Sequence, residues 1–345
     1  MKQSSTIQER LRDYLTGNLG FKDVVVSHAE LIFGGFSRET WRIDAEWLTA
    51  DGVRTEKSMI LRLDPPFSLL ESNRHVEYAM YKAFWPVPGV PVPEPLFIED
   101  DPEPLGMAFF AMSRLDGAAW PGELRQPMYK EAWSKIACQM FQILGLIAAQ
   151  DCRDMGLADL LPVPSVDNAW AVELDKWEKV INDNDIGPLP VLRAAIRKLR
   201  REPPPPAPKL SVVHGDYRIG NYLYIPEGIV GVLDWEMAHL GDPIEDLGWA
   251  FAKNWHFAKA PGKIAGKLTA GEAIRIWEDA SGLKVHPDAM RWWTLFTNVK
   301  AYALWVTAAN KAATGFTRQL INTDAAWQNM YDQELWMLED MGGVS

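Results

Sequence analysis

Residues 211–249 read SVVHGDYRIGNYLYIPEGIVGVLDWEMAHLGDPIEDLGW. Three short apolar runs stand out, at 210–213, 222–225 and 229–233, and Pro226-Glu227-Gly228 separates the last two. Short apolar runs bounded by turn residues read as strands. The loop between the first two runs carries His214, Asp216 and Asn221, and the third run delivers Asp234. Asp and Asn in loops often do no more than make Asx-turns or cap helices, and His-x-Asp alone is a weak signal. Here four polar residues stand in the order H-x-D-x-x-x-x-N, then D, between apolar strands.

That order suits metal-assisted phosphoryl transfer from a nucleotide to a hydroxyl. One carboxylate orients the acceptor hydroxyl and can take its proton; an amide and a second carboxylate hold Mg²⁺ against the phosphates. Mg²⁺ prefers octahedral oxygen coordination and keeps waters, so one carboxylate and one amide completed by phosphates make a normal site. Two other classes compete. A binding module would keep the fold without transfer, against which the intact Asp216, Asn221 and Asp234 argue. A metal-dependent hydrolase would use His214, Asp216, Asp234 and His239, but no H-x-x-E-H-like ligand helix is present and Asn221 is a poor Zn²⁺ ligand.

The segment resembles the aminoglycoside phosphotransferase / choline kinase-like family, which shares the protein-kinase fold. HGDYRIGN is similar to its catalytic loop, LDWE stands where protein kinases carry DFG, and HLGDPIEDLGW is similar to the segment that follows. The resemblance covers about residues 25–310. It implies Asp216 as catalytic base, Asn221 and Asp234 as Mg²⁺ ligands, His214 as a prop for the loop and Asp246 as an anchor of its backbone. LRLDPP, HGDYRIGN and LDWEMAHLGDPIEDLGW together look nearest the branch related to kinase-like domains fused to acyl-CoA dehydrogenases. That branch implies a hydroxylated acyl or other metabolic acceptor rather than an antibiotic; aminoglycoside and choline-type acceptors are the alternatives. ATP or GTP would be the phosphoryl donor. A protein acceptor is disfavoured, because LDWE runs almost directly into GDPIEDLGW without a long activation segment or an A-P-E motif.

The first third reads as a small lobe. Ser4-Ser5-Thr6 can cap a first helix with Ile7, Leu11 and Leu15 on one face. Residues 24–33, 40–46 and 58–63 read as strands. Between the first two lies GGFSRET, which can lay backbone N–H groups over phosphates through Gly34, Gly35 and Ser37 or can be only a β-turn. The family pattern puts the phosphate-binding cation at Arg62, where protein kinases have Lys; the planar guanidinium can hold phosphate oxygens. Residues 71–84 read as a helix. Glu77 is the expected carboxylate partner of Arg62, with Glu71 competing. A proline-rich connection at 86–95 reads as rigid loop, and 107–112 as the last strand of the lobe. The expected organisation is a small lobe over 1–112, a hinge over 113–117 and a large lobe over 118–345. The fold class is α+β, a protein-kinase-like bilobal fold with an antiparallel-sheet lobe and a mainly helical one.

In the large lobe, helices are expected over 126–150, 170–182 and 191–201, the first with a core stripe of Ile136, Met140, Ile143, Leu144 and Ile147. Residues 271–338 are mostly helical by pattern. Glu236, Asp242 and Trp255, just after the magnesium strand, are the candidates to line an acceptor pocket. Their plainer readings are an Arg partner, a turn residue before Pro243 and a core residue.

The 345 residues suffice for two lobes with a sizeable core. The 16 tryptophans are read mainly as helix-packing core. A net charge of −11 argues against nucleic acid as the partner. No run of apolar residues reads as a membrane span, the N-terminus lacks an apolar signal core, and Cys138 and Cys152 give neither disulfide framework nor zinc spacing. The simplest expectation is a cytoplasmic protein with a small-molecule hydroxyl acceptor and no obligatory protein partner.

Overall fold

A computed structural model describes residues 2–32, 38–49, 51–65, 73–184, 186–255, 262–315 and 320–342. The chain divides into two units: residues 1–117 with 230–236, and 118–229 with 237–345.

The first unit is built on an antiparallel sheet in the order β1-β2-β3-β5-β4. Its strands are β1 (Lys22–Ile32), β2 (Glu39–Leu48), β3 (Arg54–Leu63), β4 (Pro95–Glu99) and β5 (Phe109–Ser113). Strand alternation sorts the side chains. Trp41, Ile43, Ala45 and Trp47 of β2 and Met59, Leu61 and Leu63 of β3 are buried, as period-2 patterning requires. They form one core with Leu11, Tyr14 and Leu15 of helix α1 (Lys2–Gly17). Arg62, one residue out of phase, projects from the opposite face, where its register neighbours are Thr40 and Phe110. Helix α2 (Arg74–Phe84) is capped by Asn73, whose side chain accepts the His75 N–H. Its Tyr78 and Tyr81 rings lie 6.0 and 6.2 Å from Phe110, so α2 shares the Arg62 face.

The second unit is mainly helical: α3 (Ala132–Ala149), α4 (Ala169–Asp183), α5 (Pro190–Arg201), α6 (Ile244–Ala250), α7 (Ala270–Ser281), α8 (Pro287–Ala313) and α9 (Leu320–Asp340). Helix α8 is the hub, packing on α4, α5, α6 and α9. The short strands β6 (Ser211–Val213) and β9 (His239–Gly241) pair antiparallel, Val213 opposite His239. The remaining strands are β7 (Tyr222–Ile225) and β8 (Gly228–Val232).

Several boundaries differ from expectation. Helix α3 starts at Ala132 because Pro121 and Pro127 open two 3₁₀ turns before it, proline being tolerated at the start of a turn but not inside a helix. The connection read as rigid loop ends in strand β4, with Pro95 as its first residue, the position a strand allows proline. Helix α3 is also long and apolar enough to cross a membrane by length and composition, contrary to the sequence reading, but half of that window is buried inside the protein.

Candidate active site

The loop leaving β6 is held from behind. Asp246, buried on α6, accepts the backbone N–H of His214 (2.7 Å) and of Gly215 (3.0 Å). These are two peptide donors that burial would otherwise leave unpaired. Burial, and then Glu245, push its carboxyl up to about 6. His214, fully buried, accepts the Asp216 N–H at Nδ1 (3.2 Å). Gly215 has φ 84°, and a Cβ there would run into the Met237 carbonyl. Only glycine fits this turn without strain.

The loop presents Asp216 with its carboxylate oriented by three N–H donors. Trp249 Nε1 donates to Oδ1 (2.7 Å), Asn221 Nδ2 to Oδ2 (2.6 Å), and Arg218 Nε to both oxygens (3.0 and 3.2 Å). An ionised carboxylate offers about four acceptor sites, and the two contacts on each oxygen hold it in one orientation. Asn221 also donates to the Asp216 carbonyl (2.9 Å). Its amide N–H₂ is therefore committed to the loop, and no donor to Oδ1 is found among the described residues. Arg218 was not anticipated from the sequence. Its guanidinium lies 4.7 Å over the Trp255 ring, and Gly220, with φ 110°, leaves the space that Arg218 Nη1 fills. Trp255 in turn lies 5.6 Å from Trp249. Of the three acceptor candidates, Trp255 alone is thus placed in contact with the Asp216 group.

In the first unit, Arg62 Nη2 lies 3.2 Å from Asp234 Oδ1 and 3.4 Å from Glu77 Oε1. Burial opposes the Arg62 charge, but Glu77 and Asp234 outweigh it and hold the guanidinium firmly protonated. Asp234 adopts φ 65°, a left-handed conformation that Asp tolerates better than most residues. Its N–H donates to the Tyr81 hydroxyl (3.1 Å), which donates to Glu77 (3.5 Å). Glu77 is fully buried on α2, and its tightest partner is Arg38, not Arg62. Arg38 also binds Asp64 (2.7 Å) and reaches Glu236 (3.7 Å). It escaped the sequence reading because, inside GGFSRET, it looks like a loop residue. Four carboxylates, of Asp64, Glu77, Asp234 and Glu236, face the guanidiniums of Arg38, Arg62 and Arg74. Among them Asp234 offers hard carboxylate oxygen of the kind Mg²⁺ takes.

The other two acceptor candidates have partners of their own. Glu236 joins the Arg38 cluster, the Arg-partner reading. Asp242 is buried, and its oxygens accept Ile244 N–H and Trp293 Nε1, both at 2.9 Å. Both are internal contacts, so it braces α6 against α8 instead of lining a pocket. Gly34, Gly35, Ser37 and Glu71 lie outside the described residues.

His239, invoked in the hydrolase alternative, is engaged elsewhere. Its Nε2 meets Glu245 (3.1 Å) and Glu173 (3.5 Å). These three could together offer ligand atoms to a metal. However, Lys300 Nζ donates to Glu245 (2.9 Å) and already supplies a cation.

The model of the phosphotransferase enzyme family matches residues 29–293. Among curated proteins, acyl-CoA dehydrogenase family member 11 of Gallus gallus is 26% identical over 198 residues, covering 56% of this chain but 25% of that protein. The chain thus spans about a quarter of the length of such relatives. A candidate aminoglycoside phosphotransferase of Ralstonia eutropha shares the fold with a TM-score of 0.75 at 18% identity, over 98% of this chain and 99% of that one. The aminoglycoside phosphotransferase APH(4)-Ia, solved in ternary complex with AMP-PNP and hygromycin B, gives 0.57 at 15% identity over 94% of this chain and 98% of that one.

Proposed function

Because this chain belongs to the phosphotransferase enzyme family, we propose that it transfers the γ-phosphoryl group of ATP to a hydroxyl of a small-molecule metabolite. The observation that carries this reading is Asp216. Its carboxylate is fixed by Trp249, Asn221 and Arg218 on a loop that Asp246 anchors. In that role Asp216 orients the acceptor hydroxyl and takes its proton, so the enzyme's contribution is positioning and charge neutralisation. Asn221 Oδ1 and the Asp234 carboxylate are the residues that would hold Mg²⁺, which when bound supplies charge neutralisation at the phosphates. Arg62, fixed by Glu77, contacts phosphate oxygens. The similarity to acyl-CoA dehydrogenase family members supports a hydroxyacyl acceptor, and Trp255 offers it an aromatic face beside Arg218.

Calorimetry with ATP and GTP, each with and without Mg²⁺, tests the nucleotide half. ATP binding is expected to require Mg²⁺, and Asp234→Ala should abolish the Mg²⁺-dependent part while the protein stays folded. Absence of binding by either nucleotide at millimolar concentration sinks the reading. A screen of hydroxylated acyl compounds, amino alcohols and aminoglycosides by ADP release then identifies the acceptor.

A further inference from the structure

Lys300 is a lysine almost wholly buried near the middle of the long helix α8. Burying an ammonium is costly unless it is paired and hydrogen-bonded. Two of its donors are used: one on Glu245 Oε1 (2.9 Å), the other on the backbone carbonyl of Gly215 (2.6 Å). Its charge also lies 4.9 Å from the Trp249 ring centre and 5.6 Å from that of Trp177. The second hydrogen bond is the informative one. Gly215 stands between His214 and Asp216, and its N–H is already held by Asp246. The peptide groups on both sides of the Gly215 Cα are therefore clamped, one through N–H by a carboxylate and one through C=O by an ammonium. The residue that follows is Asp216. A carbonyl free to rotate would let the Asp216 N–H leave His214 and carry the carboxylate away from Trp249.

Behind Lys300 the charges continue as a chain. Glu245 bridges to His239, His239 reaches Glu173, and Glu173 accepts Lys176 (3.1 Å) and Trp177 Nε1 (3.1 Å). Two carboxylates, of Glu245 and Glu173, thus face Lys300, Lys176 and the His239 ring. Core helices seldom carry a lysine for stability alone, since a well-packed apolar residue is often as good.

We propose that Lys300 is a positioning residue for phosphoryl transfer, its ammonium fixing the Gly215 carbonyl and thereby the direction of the Asp216 carboxylate. The proposal rests on Asp216 as the base. Removing Lys300 alone leaves Glu245 buried and short of a cation, so the test uses Lys300→Met with Glu245→Gln, which removes one charge of each sign, beside Lys300→Ala. Three readouts are compared with wild type: hydrogen exchange of residues 213–221, MgATP affinity by calorimetry, and ADP release from MgATP to water, which needs no acceptor. The expected result for the double variant is at least tenfold faster exchange confined to that segment, a tenfold or greater loss of ADP release, and MgATP affinity within twofold. Ethylamine should restore part of the lost turnover to Lys300→Ala, which filling a hole with a neutral molecule of that size would not. A folded double variant whose loop exchange matches wild type overturns the proposal, as does an equal loss of affinity and turnover. Wild type that binds MgATP yet releases ADP neither to water nor to any of the screened hydroxyl compounds removes the transfer reading instead, and the exchange arm still decides whether Lys300 holds the loop.

Discussion

Asp216 is the residue on which the transfer reading stands, and its surroundings say how its loss should look. The side chain meets Trp249, Asn221 and Arg218. Asp216→Asn keeps the shape but turns one acceptor oxygen into a donor opposite another N–H. A base that acts on the acceptor proton matters in the transition state, whereas nucleotide binding does not depend on it. The expected outcome is a fall in kcat of about 10²–10⁴-fold with MgATP affinity unchanged. Equal turnover of variant and wild type on the true acceptor would make Asp216 a structural loop residue. Asp216, Asn221 and Asp234 were legible in the sequence because polar residues at fixed spacing interrupt apolar strands. Arg38, Arg218 and Lys300 were not. Arg38 meets Glu77 from 39 positions away and Lys300 meets Gly215 from 85; nothing local distinguishes them from solvated cations. Asp242 was misread for the same reason, since Asp before Pro looks like a surface turn until Trp293, 51 residues later, covers it.

At the scale of elements, strand periodicity and helix stripes located most of the structure, and the misses came where tertiary pairing decided. Strand β4 has too little pattern of its own, and only pairing with β5 makes it a strand. Helix α3 shows how an apolar stripe is used once formed. It packs on α7, and Gly145 stands against the α7 backbone. A Cβ at Gly145 would lie 2.7 Å from both the Trp277 carbonyl and the Ala280 Cβ. Exchanging Gly for Ala inside a helix ordinarily gains about 1 kcal/mol. Here the neighbour is backbone and cannot swing aside, so overpacking of about 1–3 kcal/mol should win. Gly145→Ala is expected to lower stability in denaturant titration. Gly271→Ala, at an α7 position with nothing within 4 Å, should be neutral or slightly stabilising. A Gly145→Ala variant more stable than wild type would mean the α3–α7 contact is loose.

For the whole molecule, the buried titratable groups of the second unit set how stability depends on pH. Glu245 is held down at about 2, by Lys300 and His239 against the cost of its burial. A depressed carboxyl contributes stability that is present above its unfolded value of 4.5 and lost as pH falls toward 2. Asp242 and Asp246 run the other way. Burial pushes both up to about 6, so their contribution is present below 3.8 and lost as pH rises through 6. The acid side is therefore a composite of opposed effects. His239 contributes on the neutral and mildly alkaline side. Its burial would favour the neutral ring, but Glu173 and Glu245 outweigh that and raise its pKa above 6.5, with Lys176 opposing weakly. A raised histidine contributes stability in full below 6.5 and loses it as pH climbs through its folded-state value. That loss cannot exceed about 1.4 kcal/mol per pH unit for one proton. Above about pH 7, clear of the range in which Asp242 and Asp246 titrate, wild-type Tm should fall along a one-proton limb. His239→Gln removes the titrating group but leaves Glu173 and Glu245 less well compensated. It should therefore start from a lower Tm and lack that limb, so that the two curves converge as pH rises. Parallel curves, with the same decline in both proteins, would show that His239 is already neutral at the start of that range and that its two carboxylates do not hold a proton on it.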